Sequence, residues 1–164
     1  MNKTTYVTVN QKDHLKAALR LTGSKGFMED ARAVAAYAPG AEGEADSMKA
    51  VAVFECFRGG RAELHLGCTP GNQLTLEFIQ ALVLMAFHPK TFNLDRVMAR
   101  IPFWNATAQI AALKVGFQFE YRDRYSVIGG EDGIVMSLDR SSIIEQQATA
   151  GPHADENPDL VSDE

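Results

Sequence analysis

The chain has 164 residues and is 46% hydrophobic, which suffices for one sizeable core but leaves too little for a second independent domain. Its formal net charge is −5, and residues 141–164 carry six of the 21 acidic residues and no Lys or Arg, so 1–140 are nearly neutral with 16 basic and 15 acidic side chains. Such a body excludes a broad positive surface for nucleic acid. The most apolar run, residues 74–88, is too short to span a bilayer, and polar residues follow Met1, so we expect a cytoplasmic protein with no membrane partner.

The first half of the chain predicts a strand, a helix and then an antiparallel meander. Asn10 is expected to cap the helix with its side chain. The pattern "ARAVAAY" fits a strand or a helix, and the loop-forming "APGAEGEADS" that follows it favours the strand. The predicted elements are strands at 5–9, 31–37, 48–57 and 61–68 and a helix at 11–21.

The second half alternates between helices and strands. The predicted elements are helices at 74–88 and 105–115 and strands at 94–102, 117–127 and 133–139. A strand, a helix and a further strand in this order predict a right-handed crossover, so the strands at 61–68 and 94–102 are expected to be parallel. The predicted fold class is mixed α/β, with one central mixed sheet and helices on both faces.

The stretch "NATAQIAALKVGFQFEYR" at 105–122 predicts a capped helix followed by a strand. Asn105 can accept a hydrogen bond from a first-turn N–H, and Gly116 can adopt the left-handed conformation that ends a helix. One face of this helix carries only small apolar residues: Ala108, Ala111, Ala112 and Val115. Aromatic and polar residues then alternate, which is typical of a strand covered on one face.

The two cysteines do not indicate a metal site. Cys56 and Cys68 lie on different predicted strands, and their spacing is unlike that of zinc ligands. We therefore expect two free thiols and no metal.

The pattern N-x-x-A, seven intervening residues and then G-F, at 105–117, resembles a conserved helix of the GNAT acyl-CoA N-acyltransferases. The segments "RAELHLGC", "LDRVMARIP" and "GFQFEYRDR" follow the order of that family over residues 48–140. Small bacteriophage-encoded GNAT-like proteins have a similar pattern, with "GG-x-x-E-x-H" entering this region, which would place the protein in a host cytoplasm. The resemblance implies a single GNAT-like domain over 1–140, followed by an acidic, disordered tail over 141–164.

The same resemblance implies acetyl-CoA as the co-substrate. In the family, two parallel strands splay apart, the pantetheine arm binds the open edge, and the pyrophosphate lies on N–H groups at the start of the crossover helix. Leu76 and Phe78 stand where enzymes of the family carry glycines, and Ala112 stands where many carry a tyrosine acid. Asn105 would contact the pantetheine or hold the exit of the second strand. The other residues implied for the co-substrate are Leu66, Gly67 and Cys68 at the open edge and Gly71, Asn72, Gln73, Leu74, Thr75 and Leu76 in the pyrophosphate loop.

Acetylation of an amine needs a base, donors for the oxyanion and an acid or solvent for the leaving thiolate. Glu63 and His65 lie two residues apart on one strand face, and either could serve as the base, although such a pair on an amphipathic strand is more often part of a solvated or helix-covered polar face. Backbone N–H groups near Gly67 could hold the oxyanion. Tyr121 or Tyr125 could protonate the thiolate in place of the missing tyrosine.

Two functions follow from these observations. The first is an acetyl-CoA-dependent N-acetyltransferase that acts on a small amine or on a protein amine. The second is a GNAT-fold protein without catalysis that binds a partner protein, for example a phage product that modulates its host. A homodimer is compatible with both, and the nearly neutral body disfavours a nucleic-acid module.

Overall fold

The computed structural model describes residues 4–127 and 129–143, and the expected tail beyond residue 143 lies outside this range. Every strand and helix predicted within the range is present. The elements are β1 (Thr5–Val7), α1 (Gln11–Thr22), β2 (Arg32–Ala38), β3 (Ser47–Arg58), β4 (Arg61–Cys68), α2 (Leu76–Phe87), β5 (Arg96–Pro102), α3 (Ala106–Val115), β6 (Gln118–Val127) and β7 (Glu131–Asp139).

The strands form one seven-stranded sheet in the order β1-β2-β3-β4-β5-β7-β6. Neighbours in this order are antiparallel, except that β4 and β5 are parallel. The parallel pair is joined through α2, as the strand, helix, strand order predicts. The predicted mixed sheet is therefore confirmed, and so is the interpretation of 31–37 as a strand.

The helices cover both faces of the sheet because successive strand residues point to opposite sides. One face packs against α1, and its buried residues include Ala33, Val51 and Val53. The opposite face packs against α2 and α3, and its core includes Phe54 and Leu64. None of the helices within the described ranges is long and apolar enough to cross a membrane.

The start of α1 differs from the sequence prediction. Asn10 adopts a left-handed conformation (φ 55°, ψ 42°), and its side chain caps nothing. Gln11 fastens the helix to β2 instead: its Oε1 accepts from the N–H of Ala33 at 2.7 Å, and its Nε2 donates to the carbonyl of Ala33 at 2.8 Å. This pairing spans 22 residues, so no local pattern could show it.

The prediction that a cover lies over the apolar face of β6 is wrong. Phe119, Tyr121 and Tyr125 are 59%, 49% and 77% exposed. β6 is the edge strand of the sheet. The buried side chains of α3, Ala112 and Val115, pack into the main core and leave Phe119 and Tyr121 of β6 exposed. Phe117, which precedes the strand, is the aromatic residue of this run that is buried.

The start of α2 differs from the sequence prediction. α2 begins at Leu76 rather than at residue 74, because Thr75 caps it: the Thr75 hydroxyl accepts from the N–H of Phe78 at 3.2 Å. Near the end of the described residues, Ile143 packs against the main core.

Candidate active site

The parallel strands β4 and β5 pair over only three residues. Arg61, Ala62 and Glu63 lie opposite 96–98, and beyond them the two strands continue to Cys68 and Pro102 without pairing with each other. Each stays paired on its outer side, β4 with β3 and β5 with β7. Backbone groups on the two inner edges therefore lack a strand partner, as expected from the splayed parallel strands that the family resemblance implies.

A mostly apolar cleft of about 150 Å³, open to solvent, occupies this divergence. Concave, mostly apolar surfaces with a few polar groups are where small molecules bind. Its walls come from both strands, from α3 and from neighbouring loops. The lining residues are Leu64, His65, Leu66, Leu74, Ile79, Ala99, Arg100, Ile101, Pro102, Asn105, Ala108, Ala111, Ala112 and Phe117.

The small-residue stripe of α3 forms one wall of this cleft. Ala108, Ala111 and Ala112 all line it, and larger side chains at these positions would fill it. Asn105 lines the cleft as well, while its Oδ1 accepts from the N–H of Ala108 at 3.1 Å. Gly116 ends the helix at φ 107°. Both predicted ends of α3 are thus confirmed, and the cap itself borders the cleft.

The first turn of α2 offers free backbone donors. The N–H groups of Phe78 and Ile79 bond to Thr75, which leaves the N–H groups of Leu76 and Glu77 without a partner inside the helix. Phe78 turns into the core and stacks on Tyr6 with a centroid distance of 5.6 Å. Leu76 and Phe78 replace the glycines of the family. Only the side chain of Leu76, which is 38% exposed, remains at the surface near the free N–H groups.

A second cavity lies beside the loop that precedes α2. Asn72, Gln73 and Thr75 line it together with Lys49 of β3. Asn72 also braces the loop, because its Nδ2 donates to the hydroxyl of Thr69 at 2.9 Å. The sequence analysis did not single out Lys49. No motif indicates that this strand residue lies in space beside a loop about 20 residues further along the chain.

Three predicted co-substrate residues have structural roles away from the cleft lining. A Cβ at Gly67 would lie 2.7 Å from the Cβ of Leu21, so this glycine lets α1 pack closely on β4. Cys68 is half-buried against the core, and burial raises the pKa of its thiol. Gly71 takes φ 79° in the turn after β4. Cys56 and Cys68 are both free thiols, as predicted.

Glu63 and His65 share a strand face but have different surroundings. Oε1 of Glu63 accepts from Nη1 of Arg100 at 2.8 Å, and Nε of Arg100 also lies 3.4 Å from a carboxylate oxygen of Asp123. His65 lines the cleft, whereas Glu63 does not. Of the two candidate bases, His65 is the one that borders the space between the strands.

Glu55 of β3 is a site residue that the sequence did not single out. It is only 8% exposed, and its Oε1 lies 2.8 Å from Nε2 of His65. The oxygen lies off the axis of the ring N–H, so the contact is electrostatic and lacks the geometry of a hydrogen bond. The contact depends on the register between β3 and β4, which cannot be predicted from the sequence alone.

Tyr121 and Tyr125 lie on the edge strand β6 and are exposed, and neither lines the cleft. Tyr125 adopts φ 55° at an irregularity in the β6–β7 pairing. Its N–H donates to Oδ1 of Asp132 at 3.2 Å. The structure therefore does not bring either tyrosine together with His65 at the cleft wall.

Two separate clusters of charged side chains lie on β4 to β7. In one, Arg100 contacts Glu63 and Asp123. In the other, Nε of Arg96 lies 2.6 Å from Asp139 and its Nη1 lies 3.8 Å from Glu120. Each guanidinium group thus faces two carboxylates.

Comparison with protein-family models gives no match, and comparison with the sequences of curated proteins gives none either. Solved structures do match. A mutant form of the spermidine/spermine N-acetyltransferase from Vibrio cholerae aligns with a TM-score of 0.72 over 88% of this chain and 99% of its own, at 13% identity. A chimera of the spermidine N-acetyltransferase from the same organism gives 0.69 over 86% and 98%, at 14% identity.

The fold is that of the GNAT acyltransferases. A dodecameric structure of spermidine N-acetyltransferase from Vibrio cholerae has the same similarity, with a TM-score of 0.70 at 13% identity over 87% of this chain and 97% of its own. At such identities the likeness concerns the path of the chain and not its side chains. The likeness is thus one of fold, and it agrees with the fold class predicted from the sequence.

Proposed function

We propose that this protein is an acetyl-CoA-dependent N-acetyltransferase that acts on a small amine. The observation that carries the proposal is the divergence of β4 from β5 beside a cleft whose wall includes His65. Unpaired strand edges can hydrogen-bond an extended chain that bears amides, as the pantetheine arm does.

The described residues fit acetyl-CoA as a co-substrate. Leu66 and Asn105, which line the cleft, would border the pantetheine arm. The pyrophosphate would lie at the start of α2, where the N–H groups of Leu76 and Glu77 are free and the helix dipole favours an anion. Lys49, beside the same loop, would add a positive charge.

His65 is the residue we assign as the base. The amine nitrogen attacks the thioester carbonyl, a C–N bond forms, the C–S bond breaks, and His65 takes the proton from the nitrogen. Backbone N–H groups near Gly67 would stabilise the oxyanion. The thiolate takes a proton from solvent, or from Tyr121 or Tyr125 if either approaches in the complex.

The two clusters around Arg100 and Arg96 favour a cationic acceptor. Each has one carboxylate in excess, and together they would attract a substrate with more than one ammonium group. The similar structures include enzymes described as acting on spermidine, which has this character. Spermidine is therefore the first acceptor to test.

The test is release of CoA thiol from acetyl-CoA in the presence of different amines. We expect spermidine to be acetylated faster than a neutral-side-chain peptide with a free N-terminus, because only spermidine carries several positive charges. Hydrolysis without amine is the control. Absence of amine-dependent thiol release with every acceptor would overturn the proposal and leave binding of a partner protein as the function to pursue.

A further inference from the structure

We propose that Glu55 is a positioning residue that fixes the ring of His65, so that Nδ1 is the nitrogen offered to the amine. The proposal rests on the proposed function, because His65 is the base there. Glu55 lies on β3, outside the divergent pair of strands. It would therefore act on the reaction only through the imidazole.

The carboxylate of Glu55 is held at both oxygens. Oε2 accepts from the N–H of Met28 at 2.7 Å, while Oε1 lies 2.8 Å from Nε2 of His65. With the residue 8% exposed, neither oxygen can turn freely toward solvent. A carboxylate in such surroundings is costly to bury unless its partners stabilise its charge.

This contact sets the preferred tautomer of His65. A carboxylate oxygen can only accept, and its negative charge 2.8 Å from Nε2 attracts a polarised N–H and repels the lone pair of a bare nitrogen. The hydrogen is therefore favoured on Nε2, which is sealed from solvent and forms no hydrogen bond with any described residue. In the neutral ring the lone pair is then on Nδ1, where a proton can be accepted.

The loop between α1 and β2 completes the enclosure of the ring. Phe27 packs on His65 with ring centroids 5.7 Å apart. The loop is tied to β3 by Asp30, whose carboxylate accepts from the N–H of Cys56 at 3.1 Å and of Phe57 at 2.8 Å. Cys56 is held at φ 57°, which turns these two N–H groups to one acceptor. The ring is thus confined by an aromatic face and by Glu55.

A purely structural role for Glu55 would require only a hydrogen-bond acceptor and not a negative charge. An amide oxygen can accept from the N–H of Met28 equally well and has nearly the same volume. What Gln lacks is the negative charge beside Nε2. The variant Glu55→Gln therefore separates anchoring of the loop from positioning of His65.

The kinetic experiment compares Glu55→Gln with the wild type in the acetylation assay. We expect kcat to fall about 10- to 100-fold, a part of the 10²–10⁴ that positioned proton transfer contributes, while KM for both substrates stays within about threefold. In a His65→Ala background the same change should lower kcat no further, because the residue acts through the imidazole. Asp30→Asn, which loosens the same loop but keeps the carboxylate of Glu55 beside Nε2, should lower the melting temperature and should lower kcat less than Glu55→Gln does.

A measurement that does not depend on catalysis tests the tautomer of His65 directly. Nitrogen-15 NMR of labelled histidine should show the Nε2–H tautomer for His65 in the wild type and a mixture of tautomers in Glu55→Gln, with His14, which contacts Tyr37 instead, as the internal reference. Wild-type kcat together with an unchanged ring spectrum in Glu55→Gln would overturn the proposal. If the wild type acetylates nothing, the proposed function fails alone, and the ring spectrum still decides whether Glu55 fixes the tautomer.

Discussion

Glu55 and Glu63 lie directly opposite each other in the antiparallel pair of β3 and β4. Like charges in this position repel, and each carboxylate here has partners of its own. Glu63 contacts Arg100, while Glu55 contacts His65 and the N–H of Met28. Because Glu63 is already paired with a guanidinium, it is the less available of the two candidate bases on β4.

At this scale we predict unequal effects of two substitutions. His65→Ala should lower kcat by about 10²-fold or more, since it removes the proton acceptor. Glu63→Gln, the matched variant on the same strand face, should cost less than about tenfold, because Arg100 keeps Asp123 as a partner. Steady-state kinetics with saturating acetyl-CoA measures both. A larger loss in Glu63→Gln than in His65→Ala would transfer the role of base to Glu63.

The helix α3 has a cap that also borders the cleft, and substitutions of Asn105 can separate the two roles. Asn105→Ala should cost about 1 kcal/mol of unfolding free energy and lower the melting temperature by roughly 2–4 °C. Asn105→Asp keeps an oxygen that can cap Ala108 but loses the amide donor and adds a negative charge at the cleft. We expect it to retain stability and to weaken acetyl-CoA binding in calorimetry. Unchanged binding in Asn105→Asp would limit Asn105 to capping.

The hairpin of β6 and β7 has an acid-sensitive link. The N–H of Tyr125 and the guanidinium of Arg122 lower the pKa of Asp132 below its usual value. A depressed carboxyl pKa stabilises the fold above the unfolded pKa of about 3.9, and this contribution is lost as the pH falls through the lower folded value.

Thermal unfolding from pH 7 to pH 2.5 checks this consequence. Asp132→Asn should be less stable than the wild type at pH 7, and the difference should shrink below about pH 4 as the wild-type carboxylate is protonated. Glu42→Gln, in an exposed loop, is the control and should show no such convergence. A difference that is constant across the range would mean that Asp132 contributes by shape and not by charge.

Elements were predictable from sequence where their determinants are local. Asn105 accepts a hydrogen bond from the N–H of Ala108, three positions away, and Gly116 directly follows Val115, the last residue of α3. Both ends of α3 are therefore predictable from the sequence. The fastening of Gln11 to Ala33 and the contact of Glu55 with His65 depend on strand register and order. The exposure of Tyr121 likewise follows from the position of β6 at the edge of the sheet. The alternation of aromatic and polar residues in the sequence does not reveal that position.

At the scale of the whole molecule, the sheet is two well-paired parts joined by a short parallel contact. β1 to β4 form one part and β5, β7 and β6 the other, and they meet through the three residue pairs between β4 and β5. Helix α2 crosses from one part to the other and begins with free N–H groups beside the cleft. The account's central claim is that this junction is the binding site for acetyl-CoA.

Titration of the wild-type protein with acetyl-CoA tests this claim most directly, by calorimetry and by thermal unfolding. At a hundredfold excess over the dissociation constant we predict stabilisation by about 2.7 kcal/mol, a rise in melting temperature of roughly 5–10 °C. Free CoA should act similarly, since it shares the pantetheine and pyrophosphate, and ATP should do little. No heat and no thermal shift at millimolar acetyl-CoA would contradict the claim.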